Sequence, residues 1–271
     1  MMEVCRVFSV AIVCVCLAAV TSAASKNNRV RVGDFASACK ANDPELNECV
    51  RQAIITAIPK MAKGIRDLGL IPFDPLKVPQ VVIDQRGNGP VGLKLTFVNS
   101  EHVGVSGLAP HSVKVVPERM YFEINSTLPK YRIIGDYEVE GRILLLPLIG
   151  NGPSDFTMNN IQLNWIFFGK PEVRNNKTYC KLTDCKIRMR IGSGSMRLDN
   201  LFNGDKRLGD NMNRIMNENF SEVIREVLPA LEDTFSQLYL KLIAPIFAAT
   251  RYEDIFPGID MSKVSAGSYD V

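Results

Sequence analysis

The chain is poor in the residues on which catalysis usually rests. Histidine occurs twice in 271 residues and tryptophan once. His102 and His111, beside cysteines without zinc spacing, give no metal centre. Gly104-Val-Ser-Gly-Leu108 lacks the second glycine position of a nucleophile elbow, so a lipid esterase resting on Ser106 and His102 has no signature. Gly192-Ser-Gly-Ser-Met-Arg lacks the third glycine of a dinucleotide loop and opens no helical pattern. No cofactor is implied. An excess of one charge is missing too: 32 basic residues face 29 acidic ones, for a net charge of +3. The one basic cluster, Lys186-Ile-Arg188-Met-Arg190, alternates with apolar residues as the wet face of a strand does. Nucleic acid is therefore excluded as a partner. Beyond the N-terminus no apolar run approaches the length of a membrane span, which argues against stable membrane insertion.

What is present begins with a targeting segment. Arg6 precedes an apolar run from Val7 to Val20, and small residues follow at Ser22-Ala23-Ala24. A charged start, a short apolar core and a small-residue cleavage site form a signal peptide over residues 1–23. The product is expected to be secreted. Cys5, Cys14 and Cys16 leave with that segment, and Cys39, Cys49, Cys180 and Cys185 remain. Four cysteines in an oxidising compartment allow three pairings, of which the local one (Cys39 with Cys49, Cys180 with Cys185) is simplest. Residues five apart on one strand face opposite sides, so the second bond requires a turn or bulge between them. Glycosylation sequons stand in turn-like sequence at Asn125 and Asn176, and a third, Asn219, lies within a helical pattern.

That helical pattern is the longest in the chain. Leu208, Met212, Met216, Phe220, Val223, Val227, Leu231, Phe235, Leu238, Leu242 and Ile246 recur every three or four residues. They predict one amphipathic helix roughly 55–60 Å long at 1.5 Å per residue. Polar residues such as Asn217, Glu222 and Glu232 fall between them on the face predicted to meet water. Pro229 predicts a kink and Pro245 fraying. A second amphipathic helix runs from Asp43-Pro44 to a C-cap at Gly69. A proline-rich connector, Leu70 to Pro79, follows. Then the period changes to two. Leu93, Leu95 and Phe97, then Val113 and Val115, then Tyr131 to Leu146, then Ile161, Leu163, Trp165 and Phe167, then Ile187, Met189 and Ile191 read as strands with one apolar face. Asn159-Asn160 reads as a bulge. Turn signals at Gly87-Asn-Gly-Pro, Thr127-Leu-Pro, Gly150-Asn-Gly-Pro and Gly192-Ser-Gly separate the runs.

A one-sided antiparallel meander and a helix with an unpartnered stripe bury each other when the sheet curls around the helix. The fold class is α+β: a long C-terminal helix wrapped in a highly curved antiparallel sheet, with an added N-terminal helix. Residues 24–257 read as one domain and 258–271 as a disordered tail. A helix fills a wrapped sheet imperfectly, which leaves an apolar tunnel beside it.

Four stretches carry a resemblance: Cys39-Lys-Ala-Asn-Asp-Pro-Glu-Leu-Asn-Glu-Cys49, Gly64-Ile-Arg-Asp-Leu-Gly-Leu-Ile-Pro-Phe-Asp-Pro-Leu76, Leu198-Asp-Asn-Leu-Phe-Asn-Gly-Asp205 and Met212-Asn-Arg-Ile-Met-Asn-Glu-Asn-Phe220. From about Cys39 to Pro257 the chain resembles the insect takeout and haemolymph juvenile hormone binding protein family. The resemblance implies a tubular fold similar to one half of a bactericidal/permeability-increasing protein, and a Cys39–Cys49 disulfide. It also implies a secreted, monomeric carrier of a small lipophilic ligand, isoprenoid, juvenile-hormone-like or fatty-acid-like, and not an enzyme. The close spacing of Cys180 and Cys185 is nearer to the takeout-like branch. The residues expected to line the tunnel are Phe97, Phe122, Ile133, Tyr137, Val139, Phe156, Leu163, Trp165, Met216, Phe220, Leu231 and Phe235. Tyr131, Tyr137, Asn164 and Trp165 are the candidates for hydrogen bonds to a ligand head group. A membrane- or lipid-surface-binding module of bactericidal type is the alternative, against which the lack of a dense basic cluster counts.

Overall fold

Alternating apolar residues on the strands and a three-to-four spacing on the helices produce the architecture they predict. The computed structural model describes residues 36–86, 91–143 and 146–268. The signal segment and the Gly87–Pro90 turn lie outside the described residues. Helix α1 (Leu46–Met61) comes first. Six antiparallel strands follow: β1 (Leu76–Gln85), β2 (Val91–Val103), β3 (Ala109–Val116), β4 (Tyr121–Ile143), β5 (Leu146–Arg174) and β6 (Lys177–Leu198). Helices α2 (Lys206–Glu218), α3 (Phe220–Ala249) and α4 (Tyr252–Ile255) complete the chain.

The strands hydrogen-bond in the order β1-β2-β4-β5-β6. β2 pairs with the second half of β4, from Arg132 to Ile143, while β3 pairs with its first half, Tyr121 to Thr127. The sheet therefore has three free edges, on β1, β3 and β6, and each meets a helix. The β6 edge is sealed by side chains of α2 and α3. Its backbone N–H groups at Ile187, Met189, Met196 and Leu198 donate to Ser236 Oγ, Glu232 Oε1, Asn217 Oδ1 and Asn213 Oδ1, each at 2.8–2.9 Å. Asn213 and Asn217 return hydrogen bonds to the carbonyls of Leu198 and Met196. Thr234 of α3 reaches the Val82 carbonyl on β1. Asn47 of α1 accepts from the Val115 N–H on β3 at 2.9 Å. Unpaired edge groups invite strand addition, and here polar helix side chains occupy them. The face of the long helix expected to meet water thus supplies part of the closure: Asn217 and Glu232 bind the sheet.

Several boundaries differ from expectation. The long helix breaks at Asn219 (φ −109°, ψ 26°) and runs on from Phe220 to Ala249 through Pro229 and Pro245. Leu208, the first residue of the expected stripe, is exposed, and Leu238 is half-buried with Tyr239 taking its place in the core, whereas the other stripe residues from Met212 to Ile246 are buried. α1 ends at Met61, because Gly64 turns left-handed (φ +79°) with no room for a Cβ beside the Leu70 carbonyl. Gly69 instead closes a short 3-10 turn, Arg66–Leu68. The last four residues of the proline-rich connector, Leu76 to Pro79, belong to β1. Pro79 fits there because it falls between bonded pairs on an edge strand. Three of the expected turns lie inside strands: Thr127-Leu-Pro in β4, Gly150-Asn-Gly-Pro in β5 and Gly192-Ser-Gly in β6. Asn160 has φ +54°, but the register with β4 and β6 runs through it, so no bulge forms there.

The bulge lies elsewhere and decides the cysteines. Register between β5 and β6 slips by one residue beyond Phe168–Asp184, leaving Thr183 extra. The slip turns both Cys180 and Cys185 to the buried face, where they remain free thiols. About 3.3 Å of rise per residue separates them by well over 10 Å, and a disulfide needs Cα atoms within about 7 Å. The local pairing expected for them is thus corrected. Burial pushes both thiols up to about 12, which keeps them inert at neutral pH. Cys39 and Cys49 do form a disulfide, with Cα atoms 5.9 Å apart. Of the tail expected to be disordered, residues 258–268 are described and pack against the fold, while 269–271 lie outside the described residues. Ser265 and Gly267 donate backbone hydrogen bonds to the carbonyls of Glu118 and Gly169.

Candidate ligand cavity

At the end of the fold where α1, the sheet and the C-terminal half of α3 converge, packing leaves a cavity of about 270 Å³. This is near the lower end of the range of about 300–1,000 Å³ common for small-molecule sites. α1 contributes Ala53, Ala57 and Met61, small or flexible residues that leave the space open. The sheet contributes Val113, Phe122 and Trp165, and α3 contributes Tyr239, Leu242 and Ile246. Ile255 of α4 and Phe256 just beyond it close the end. The disulfide-bonded Cys39 is also in the wall, so the Cys39–Cys49 bond ties the N-terminal segment to α1 beside the cavity. Among the described residues that form this wall there is no lysine, arginine, histidine, aspartate or glutamate.

Two smaller cavities continue the line along α3. One of about 30 Å³ lies between Tyr131, Leu163, Trp165, Phe235 and Tyr239. One of about 60 Å³ lies at the N-terminal half of α3, against Phe97, Ile133, Val139, Phe156, Met216 and Leu231. Aromatic rings separate the spaces. Trp165 meets Tyr239 edge-on with centroids 5.1 Å apart, and Phe235 stands edge-on to Tyr131 at 6.0 Å. The single tunnel expected from the sequence is a row of three spaces.

The expected lining residues therefore divide. Phe122 and Trp165 line the large cavity. Leu163, Trp165 and Phe235 line the smallest, and six others line the space near the break between the helices. Phe220 instead packs onto Gly194, where any Cβ would come within 2.4 Å of its ring. Tyr137 is spent on structure, its hydroxyl donating to the Asp199 carbonyl at 2.7 Å. The contributions of α1 and of residues after Phe235, from Tyr239 onward, were missed. Their apolar spacing marked them as helix faces, but nothing in the pattern said the two faces meet.

The polar groups proposed for a head group all have protein partners. Trp165 Nε1 donates to Ser126 Oγ at 2.9 Å, and Asn164 Nδ2 donates to Glu123 and Asn125. Tyr131 belongs to a buried relay. Ser100 Oγ donates to the Val78 carbonyl, so it accepts a hydrogen bond from His102 Nε2–H at 3.0 Å. His102 Nδ1 then accepts from the Tyr131 hydroxyl at 2.6 Å, and Tyr131 bonds Tyr239. His102 is fully buried, and desolvation pulls it down to about 4. Burial raises Tyr131 well above the usual phenol range and takes Tyr239 up to about 12. His102 thus fills a core position, not an exposed one. Ser106 donates its hydroxyl to Asp74, so the Ser106–His102 pair does not form. Of the sequons, Asn176 is exposed in the turn between β5 and β6, as its sequence suggested. Asn125 lies within β4, half-buried, with its amide bonded to Ser112 and Asn164.

Comparison with known proteins places this geometry in context. The family model described as haemolymph juvenile hormone binding protein (JHBP) matches residues 12–257. The circadian clock-controlled protein daywake of Drosophila melanogaster is 22% identical over 225 residues, which is 80% of this chain and 85% of that protein. The "Putative beta-carotene-binding protein" of Schistocerca gregaria is 24% identical over 224 residues, 80% of this chain and 86% of that one. In fold, the crystal structure of Epiphyas postvittana Takeout 1 is similar with a TM-score of 0.70 at 24% identity, covering 81% of this chain and 99% of that one. Among the described residues, no helix is long and apolar enough to cross a membrane.

Proposed function

Since the chain belongs to the haemolymph juvenile hormone binding protein family, we propose that it is a secreted carrier. It takes one small lipophilic ligand into the cavity between α1, the sheet and α3. The observation that carries this reading is the cavity itself, about 270 Å³ of space walled by hydrocarbon and aromatic surface, with no lysine, arginine, histidine, aspartate or glutamate among its described lining residues. Such a wall gains from an apolar guest and offers nothing to a charged one. The family relation and the name of the Schistocerca gregaria relative support it.

The mechanism is desolvation. Removing about 400 Å² of apolar ligand surface from water at about 25 cal/mol/Å² supplies at most about 10 kcal/mol. Association costs several kcal/mol, which leaves micromolar affinity unless a polar contact adds to it. Among its described residues the wall holds no histidine or carboxylate to act as a general base, and the reading contains no bond-making step.

The test fills the cavity. Ala57 is buried on α1 and lines the space. Ala57→Trp is expected to abolish uptake of a fluorescent fatty probe while the protein remains secreted and folded. Organic extracts of the wild-type secreted protein, read by mass spectrometry, are expected to contain a lipid that extracts of the variant lack. Equal uptake by both proteins overturns the assignment of this cavity.

A further inference from the structure

The wall of the large cavity contains one polar side chain that is buried and unpartnered. Thr250 is 4% exposed and lines the cavity where α3 ends. Its hydroxyl oxygen is sealed from solvent and, among the described residues, makes no hydrogen bond, not even back onto the preceding turn of the helix. Native proteins rarely leave such a group idle, since an unmade buried hydrogen bond is costly. The other polar side chains of this wall are accounted for. Trp165 bonds Ser126, Tyr239 bonds Tyr131, and Ser37 is exposed to water.

We infer that Thr250 is the polar anchor of the ligand site, and that the ligand is a neutral lipid with an oxygen at one end: an alcohol, an ester or an uncharged carbonyl compound. The inference rests on the carrier reading of this cavity. A threonine hydroxyl donates and accepts, so it can serve any of these oxygens. A one-third turn about Cα–Cβ carries the hydroxyl to the place the methyl now holds and breaks no hydrogen bond among the described residues. An ionised carboxylate finds no cation among the described residues of the wall and loses its hydration on entering. A pure hydrocarbon enters but leaves the hydroxyl unsatisfied. The position also sets orientation. The oxygen sits beside the end of α3 and α4, and the apolar chain points towards Trp165 and Tyr239, where the smaller spaces begin.

The experiment compares four twelve-carbon probes: dodecanol, methyl dodecanoate, dodecane and dodecanoate. Binding is read at neutral pH by displacement of N-phenyl-1-naphthylamine from wild type, Thr250→Val and Thr250→Ser. The expected result for Thr250→Val is about three- to tenfold weaker binding of the alcohol and the ester, the worth of one neutral hydrogen bond. Dodecane is expected to bind both proteins equally. Thr250→Ser keeps the wild-type order, and dodecanoate binds worst to all three. The unliganded Thr250→Val protein is expected to melt no lower than wild type, since it loses an unpartnered hydroxyl and keeps the shape. Equal loss of alcohol, ester and dodecane in Thr250→Val makes the residue structural and overturns the anchor. No loss for any probe overturns it as well, while leaving the carrier reading intact. If wild type takes up neither the naphthylamine nor any of the four, the carrier reading itself fails and the anchor with it.

Discussion

Glu232 tests whether the helix closes the sheet through its polar side chains. It lies on α3, 7% exposed, and its two oxygens serve different partners. Oε1 accepts from the Met189 N–H at 2.8 Å, and Oε2 accepts from Arg188 Nη1 at 2.7 Å. The Arg188 side chain is 67% exposed, so that pair contributes about 0–1 kcal/mol. The bond to the backbone contributes more, because a hydrogen bond to a charged group is worth about 1.5–3 kcal/mol. Glu232→Ala removes it and leaves the Met189 N–H of an edge strand with no acceptor. Glu232→Gln keeps an acceptor at the same place and loses only the charge. The expected costs are about 2–3 kcal/mol for alanine and about 1 kcal/mol or less for glutamine. At about 2–4 °C per kcal/mol for a domain of this size, alanine lowers the melting temperature by roughly 4–12 °C. Urea unfolding gives the energies, and amide hydrogen exchange at Met189 gives the location. The amide is expected to lose protection in the alanine variant and keep it in the glutamine variant. Equal destabilisation by both substitutions, or an unchanged Met189 exchange rate in Glu232→Ala, refutes the closure argument.

Two further predictions concern the core. Phe220→Arg is expected to cost more than about 4 kcal/mol, since it removes a buried ring and introduces an unpaired charge above Gly194. Ser221→Arg, exposed and next in sequence, is expected to cost less than about 0.5 kcal/mol in the same urea titration. His102 predicts a pH dependence. Its ordinary value of 6.5 falls to about 4 in the fold, so below pH 6.5 the unfolded chain gains a proton that the folded one refuses. Its stability contribution is complete above pH 6.5 and is lost as pH falls towards 4, by at most about 3 kcal/mol. Unfolding midpoints at pH 7 and 4.5 are expected to lie closer together for His102→Gln than for wild type; an equal separation in the two proteins sinks the argument.

The wrapped helix was legible because apolar period is a strong signal over many turns. Met212 to Ile246 kept its spacing through two prolines, and Leu163, Trp165 and Phe167 kept theirs through a long strand. The disulfide was legible through resemblance more than through geometry. The strand ends were not. Pro129 and Gly152 look like turns, yet they lie in strands of 23 and 29 residues that must bend to encircle a helix. A bend and a turn call for the same residues, and local sequence does not separate them. Asn213, Asn217 and Glu232 looked solvated because polarity alone does not say whether the partner is water or an unpaired strand edge. Thr250 carried no signal at all: its distinction is a missing hydrogen bond, and only coordinates show what a side chain lacks.

The arrangement of the β6 edge also has a consequence for biosynthesis. β6 ends at Leu198, and the side chains that occupy its edge come later in the chain, at Asn213, Asn217, Glu232 and Ser236. A chain emerging from its N-terminus therefore presents a finished, curved sheet with one side unclaimed until the final segment follows. During that interval the nascent protein is most open to chaperones and to pairing with its neighbours. A stop codon anywhere between β6 and Asn213 makes the interval permanent.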